Sequence, residues 1–141
     1  VECIRIPVKP LSANEAYKFN RNGCMYRSKA YYQFEKTVSE FLSVHHLEIP
    51  PEGPLFFKAN FGVQRTDLDN CQKPFLDILE KVYHFNDKRI DEIHIKKHRV
   101  PKKCEYIEFG ICLLDDTLPI SFDTNNCIRK MLEEHHVKET V

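Results

Sequence analysis

A chain of 141 residues suits one domain with a core of its own and is short for two. Apolar residues at 42% and charged residues at 30% are ordinary for a soluble globular protein, and no stretch reaches the length of a membrane span. The 21 Lys and Arg balance the 21 Asp and Glu, yet residues 1–104 hold 18 basic against 13 acidic side chains and residues 105–141 hold 3 against 8. This layout fits a DNA-binding body with an acidic tail, and also plain solubility.

Six cysteines, Cys3, Cys24, Cys71, Cys104, Cys112 and Cys127, form no C-x-x-C pair, which argues against a zinc ribbon and for reduced thiols. The pairs His45-His46 and His135-His136 point apart on a helix and read as surface helix ends rather than metal ligands. The expected location is cytoplasmic.

In chain order, Ile4, Ile6 and Val8 alternate with polar residues and predict a first strand, with Pro7 placing it at a sheet edge. Residues 10–22 read as a loop, whose Asn14, Tyr17, Lys18 and Arg21 suit DNA backbone and bases. Asn22-Gly23 predicts a tight turn and residues 24–27 a short returning strand. Ser28 then caps a helix whose stripe of Tyr31, Phe34, Val38, Phe41 and Leu42 must face the core. Pro50, Pro51, Gly53 and Pro54 break the chain.

Residues 54–64 set Leu55, Phe57, Ala59, Phe61 and Val63 on alternate positions, the pattern of a strand with one buried face. Extended backbone carried through Asp67-Leu68-Asp69 would project both carboxylates to one side. From Cys71 to Val82 the residues Phe75, Leu76, Leu79 and Val82 recur at helical spacing, with Asn70 as the N-cap and Pro74 in the first turn. Lys73 and Asp77 share a helix face. Asp87 follows the helix, and it joins the acidic pair only if the turn before it folds back.

Carboxylates brought together must be neutralised by protons, a cation or a metal, and magnesium prefers such oxygens while leaving room for phosphate. A neighbouring lysine can then offset charge developing on the phosphorus. Most isolated Asp-x-Asp pairs are solvated turn residues, so the added Asn70, Lys73, Asp77 and Asp87 carry the argument.

Asp67-Leu68-Asp69-Asn70, Lys73, Asp77 and Asn86-Asp87, with the opening IPVKPLSANEAY, resemble the RusA family of Holliday-junction resolvases across roughly residues 4–113. The resemblance implies a homodimer, of a kind often encoded by prophages, that binds branched DNA at four-way junctions. It would resolve them by paired phosphodiester cuts in DNA recombination and repair, using magnesium or manganese. It implies Asp67, Asp69 and Asp87 as metal-binding catalytic carboxylates and Lys73 as the catalytic lysine. Two departures are Asn86, where members often carry a second aspartate, and the single Arg65, where some carry an arginine run.

Beyond Asp87, residues 90–100 read as a strand with Ile93 and Ile95 on one face and His94, Lys96 and His98 on the other. Lys88, Arg89, Lys96, Lys97, Arg99, Lys102 and Lys103 make this the most basic stretch, suited to gripping phosphates or merely to guarding a sheet edge. Pro101-Lys102-Lys103 predicts a turn and residues 105–113 a second hairpin strand.

The expected architecture is α+β, a mixed and mostly antiparallel sheet covered by two main helices, RusA-like, over residues 1–113. Residues 114–141 are expected to form an acidic C-terminal extension with a short helical tail. The expected function is a magnesium-dependent endodeoxyribonuclease. Asn70 and Asp77 would hold its site, and Arg65 would join the loop and the basic stretch in binding DNA. The rivals are a non-catalytic, structure-specific DNA-binding protein of the same fold and a different Asp-x-Asp enzyme such as a phosphatase.

Overall fold

The computed structural model describes residues 2–65 and 69–114. Its elements run β1 (Ile4–Ile6), α1 (Ala13–Ala16), β2 (Tyr17–Phe19), β3 (Met25–Arg27), α2 (Lys29–Leu42), β4 (Leu55–Val63), α3 (Gln72–Tyr83), β5 (Ile90–Arg99) and β6 (Tyr106–Leu113). Four strands form one sheet in the order β1-β6-β4-β5, and β2 pairs with β3 in a separate ribbon. The β1–β6 and β4–β6 pairings are antiparallel and β4–β5 is parallel. The sheet is therefore mixed and mostly antiparallel, as the sequence pattern predicts.

The alternation in β4 decides which face is covered. Leu55, Phe57, Ala59, Phe61 and Val63 are buried together with Ile107, Phe109 and Ile111 of β6 and with Ile4 and Ile6 of β1. Phe75 of α3 sits at the centre of this layer, with ring centroids 5.1 Å from Phe109, 6.3 Å from Phe61 and 6.4 Å from Phe57. The two edge-to-face arrangements suit the ring quadrupoles and pin α3 to the sheet. Ser28 Oγ accepts from the Tyr31 N–H at 3.2 Å and starts α2, whose Tyr31, Phe34, Val38 and Leu42 are buried. Lys81 of α3 meets Glu35 of α2 at 2.7 Å and ties the two helices together at the surface.

Three expectations are corrected. Residues 10–22 hold α1 and β2 rather than a plain loop, because Ser12 caps α1 by accepting from the Glu15 N–H at 3.3 Å. The strands flanking Pro101–Cys104 do not form a hairpin. β4 lies between them and pairs with both, so the chain crosses over β4 before it returns. Helix α3 begins one residue later than the pattern predicts, at Gln72, and runs on through Tyr83.

β1 lies at a sheet edge, as Pro7 predicts, and β5 takes the other edge, each pairing on one side only. On β5, Ile93 and Ile95 do share the register of the buried β4 residues Phe57 and Ala59, while His94, Lys96 and His98 align with Lys58, Asn60 and Gly62. No described helix is long and apolar enough to cross a membrane. The acidic extension and its helix, with Cys127 and His135-His136, lie outside the described residues, as do Asp67 and Leu68.

Candidate active site

The parallel β4-α3-β5 crossover fixes where the carboxylates stand. A parallel crossover starts its second strand beside the beginning of the first, and here Ile90 pairs with Leu55. Asp69 follows the far end of β4, at the N-terminus of α3. Asp87 follows the C-terminus of α3, in a 3-10 turn over Asp87–Arg89. The length of a 12-residue helix, about 18 Å at 1.5 Å per residue, therefore stands between them. The turn before Asp87 does not fold back, so one chain does not gather Asp69 and Asp87 around Lys73.

At the N-terminal end, Asn70 makes the turn from strand to helix. Its φ of 42° is left-handed, a conformation Asn tolerates better than most residues. Its Oδ1 accepts from the Lys73 N–H at 3.3 Å, and its backbone oxygen accepts from the Ala13 N–H at 3.0 Å. The N-cap position itself falls on Cys71 rather than on Asn70 as predicted, yet Asn70, one residue ahead of it, satisfies a first-turn N–H of α3 and fastens α1 beside it. A cavity here is lined by Phe61, Asp69, Asn70, Cys71, Gln72, Ile95 and Lys97. Asp69 and Lys97 thus share one opening, and burial pushes the Cys71 thiol up to about 11 despite the nearby Lys97.

Along the polar side of α3, Lys73, Asp77 and Glu80 follow at spacings of four and three, so they form one row. Tyr17, at the start of β2, closes over this row. Its hydroxyl donates to Asp77 Oδ2, and Lys73 Nζ lies 5.5 Å from its ring centroid. Burial first and the Asp77 contact second push the Tyr17 hydroxyl far above the ordinary tyrosine range.

At the other end, Glu80 meets Asp87. Burial raises the Glu80 carboxyl, the Asp87 backbone N–H bonded to it opposes the shift, and the Asp87 and Asp77 charges raise it further. Asn86 presents Asp87 by accepting from the Lys88 N–H with Oδ1 at 2.9 Å and from the Arg89 N–H with its backbone oxygen at 3.1 Å. Where a second aspartate would stand, this chain has a turn cap. Glu80 is the residue missed by the sequence reading, although its place in the Lys73, Asp77, Glu80 spacing was the available signal.

The DNA-binding candidates divide. Asn14, Lys18 and Arg21 are exposed, but Tyr17 is buried and engaged with Asp77. Arg65 lines a second cavity with Lys9, Pro10, Glu15, Val63, Gln64 and Glu105. Arg89 is a structural pin, donating from Nη2 to Pro50 O at 2.6 Å and from Nε to Gly53 O at 3.2 Å. Lys97 and Arg99 align with Phe61 and Val63 on the helix-covered face, whereas Lys96 aligns with Asn60 on the opposite face. Lys88 belongs to the Asp87 end, and Lys102 and Lys103 sit in the exposed turn after β5. The basic stretch is therefore spread over two faces and both ends of the sheet.

Among the described residues, no three His, Cys, Asp or Glu side chains gather as a metal-holding group. The donor chemistry still fits a hard cation: carboxylate and amide oxygens stand exposed at both ends of α3, and the crowding of Glu80 against Asp87 is the kind of penalty a cation relieves.

No curated protein sequence matches the chain. The family model described as Endodeoxyribonuclease RusA matches residues 7–105, a span that contains both cavities, the whole α3 row and Asp87. With more than two thirds of its length matched, and with Asp69, Asn70, Lys73, Asp77 and Asp87 set on one crossover, the chain belongs to the RusA family of endodeoxyribonucleases.

Proposed function

We propose that this protein hydrolyses DNA phosphodiesters at four-way junctions as a homodimer, in paired cuts that serve recombination and repair, with each active site assembled from both subunits. The observation that carries the composite site is the separation of Asp69 and Lys73 from Asp87 by the length of α3. A two-fold axis that sets two α3 helices antiparallel brings Asp87 of the partner subunit to the Asp69 end, and by symmetry the reverse. Two sites related by that axis match two strands related by the symmetry of the junction.

Asp67 and Asp69, with Asp87 of the partner subunit, would hold the metal; Asp67 enters on its place in the sequence alone. A bound magnesium or manganese ion would supply Lewis-acid polarisation of the phosphate and a water of lowered pKa. Lys73 would offset negative charge developing on the phosphorus. Asp77, one turn along on the same helix face and held by Tyr17, adds a negative charge beside the Lys73 row, while Asn70 fixes the backbone from which Asp69 and Lys73 project. Lys97, which lines the cavity with Asp69, would bind the adjoining phosphate.

The test is cleavage of a synthetic four-way junction beside a linear duplex of the same sequence, with magnesium, with manganese and with chelator. Paired nicks confined to the junction, dependent on metal and lost in Asp69→Asn, are expected. A junction bound tightly but never cut would leave the non-catalytic binding protein as the better reading.

A further inference from the structure

The β2–β3 ribbon carries three large apolar side chains in solvent: Phe19 is 69% exposed, Met25 54% and Tyr26 52%. Single exposed apolar residues are ordinary, but three on two three-residue strands are not. Phe19 pairs with Met25 in the ladder, so the two share a face, and Tyr26 pairs with Lys18 on the other. Around them, residues 16–34 contain Lys18, Arg21, Arg27 and Lys29 and no acidic side chain. An apolar tip inside a wholly basic segment suits a partner that offers both flat apolar faces and anionic groups.

The ribbon is held stiffly. At its base Tyr17 is buried against Asp77, and Ser28 donates from Oγ to Glu15 O at 2.6 Å and from its N–H to Ala16 O at 2.9 Å. At its tip Asn20 Oδ1 accepts from the Asn22 and Cys24 N–H groups at 2.9 and 3.0 Å, and Gly23 takes a φ of 77° that closes the turn. Phe19 is on the same face as Tyr17, two residues or about 7 Å further along the strand. Tyr17 in turn faces Lys73. The exposed pair therefore stands one side chain outward from the proposed reaction centre.

We propose that Phe19 and Met25 form a stacking wedge that packs against a base unstacked at the branch point, while Lys18 and Arg21 hold the flanking phosphates. The proposal rests on the junction-cleaving function above and deepens it by assigning how branched DNA is told from duplex. A duplex offers no free base face without an unstacking cost, whereas a branch point offers one at little cost, and aromatic stacking then favours the junction.

The protein contains no tryptophan, so Phe19→Trp places a single fluorescent reporter in the wedge. Binding is measured to a junction and to a matched duplex, with calcium in place of magnesium, for the native protein, Phe19→Ala and Phe19→Trp. Phe19→Ala is expected to lose roughly tenfold in junction affinity with little change on duplex. Phe19→Trp is expected to restore the preference, with emission quenched by junction and not by duplex. If the native protein prefers junctions but both variants bind as it does, with unchanged emission, the wedge is wrong and the function stands. If the native protein shows no junction preference, both fall. Sedimentation of Phe19→Ala at the native dimer mass is expected; a shift to monomer would assign the tip to a contact between subunits and overturn the wedge.

Discussion

Tyr17 donates its hydroxyl proton to Asp77 Oδ2 from 60 residues away in sequence, closing the β2–β3 ribbon onto α3. Tyr17→Phe keeps the ring and removes only that bond. Its loss is expected to reduce stability by about 1.5 kcal/mol, the low end of the range for a hydrogen bond to a charged partner. Because that bond holds the Tyr17 ring against α3, where Lys73 Nζ lies 5.5 Å from its centroid, junction cleavage is expected to slow several-fold while junction affinity holds. Urea unfolding and single-turnover cleavage measure the two effects separately.

The same tyrosine gives a pH dependence with a definite sign. Burial and Asp77 raise the Tyr17 hydroxyl, and burial raises Tyr31 and Tyr83 in the same direction. Above pH ~10, the ordinary tyrosine value, the unfolded chain loses these protons while the folded chain keeps them. Stability is therefore fully present below that pH and falls as the pH rises through it toward the higher folded-state values. Tyr17→Phe removes one contributor, so its alkaline decline is expected to be shallower than that of the native protein in matched urea titrations.

Gly62 lies under the Tyr106 ring on the sheet face opposite α3. A Cβ built there would come within 2.4 Å of two ring atoms, and the ring is held from its other sides by Arg5 at 3.7 Å and by a hydrogen bond to His98. Gly62→Ala is expected to destabilise by about 1–3 kcal/mol through overpacking. In the Tyr106→Ala background the same change should cost much less, and a double-mutant cycle reads that difference directly.

Asn70 combines two demands that different substitutions separate. Asn70→Gly keeps access to the positive φ but removes the bond to the Lys73 N–H, whereas Asn70→Ala loses both. Ala is expected to be the less stable variant by about 1 kcal/mol. Thermal unfolding of the pair would show this order, and the reverse order would mean that the turn does not depend on the left-handed backbone.

The sequence made some of this legible and hid the rest for physical reasons. Alternation in residues 54–64 and 105–113 announced β4 and β6, because one buried face imposes period two. Helices α2 and α3 were legible from their apolar stripes, and Asn70 from its place before the second of them. What stayed hidden was strand order. A short turn at Pro101–Cys104 looks like a hairpin, and nothing local reveals that β4 intervenes between β5 and β6. The same blindness affects Asp87: its spacing from Asp69 is readable, but which end of the sheet it reaches depends on β5 running parallel to β4, a long-range pairing. Glu80 escaped because it becomes notable only when Asp87 packs against it.

The composite site makes a prediction that a single-subunit site cannot share. Asp69→Asn and Asp87→Asn homodimers are each expected to be inactive. In a mixed dimer, one site receives both substitutions and the other receives neither, because the intact Asp69 of one chain meets the intact Asp87 of its partner. Co-expressed variants carrying different affinity tags and purified through both are therefore expected to nick a four-way junction on one strand, without the paired second cut. If each site instead drew all its carboxylates from one chain, both sites of the mixed dimer would be defective and no nick would form. Nicking by the doubly purified dimer, scored on a denaturing gel with each strand labelled in turn, distinguishes the two arrangements. The result depends on which subunit supplies Asp87 and leaves the identity of the metal aside.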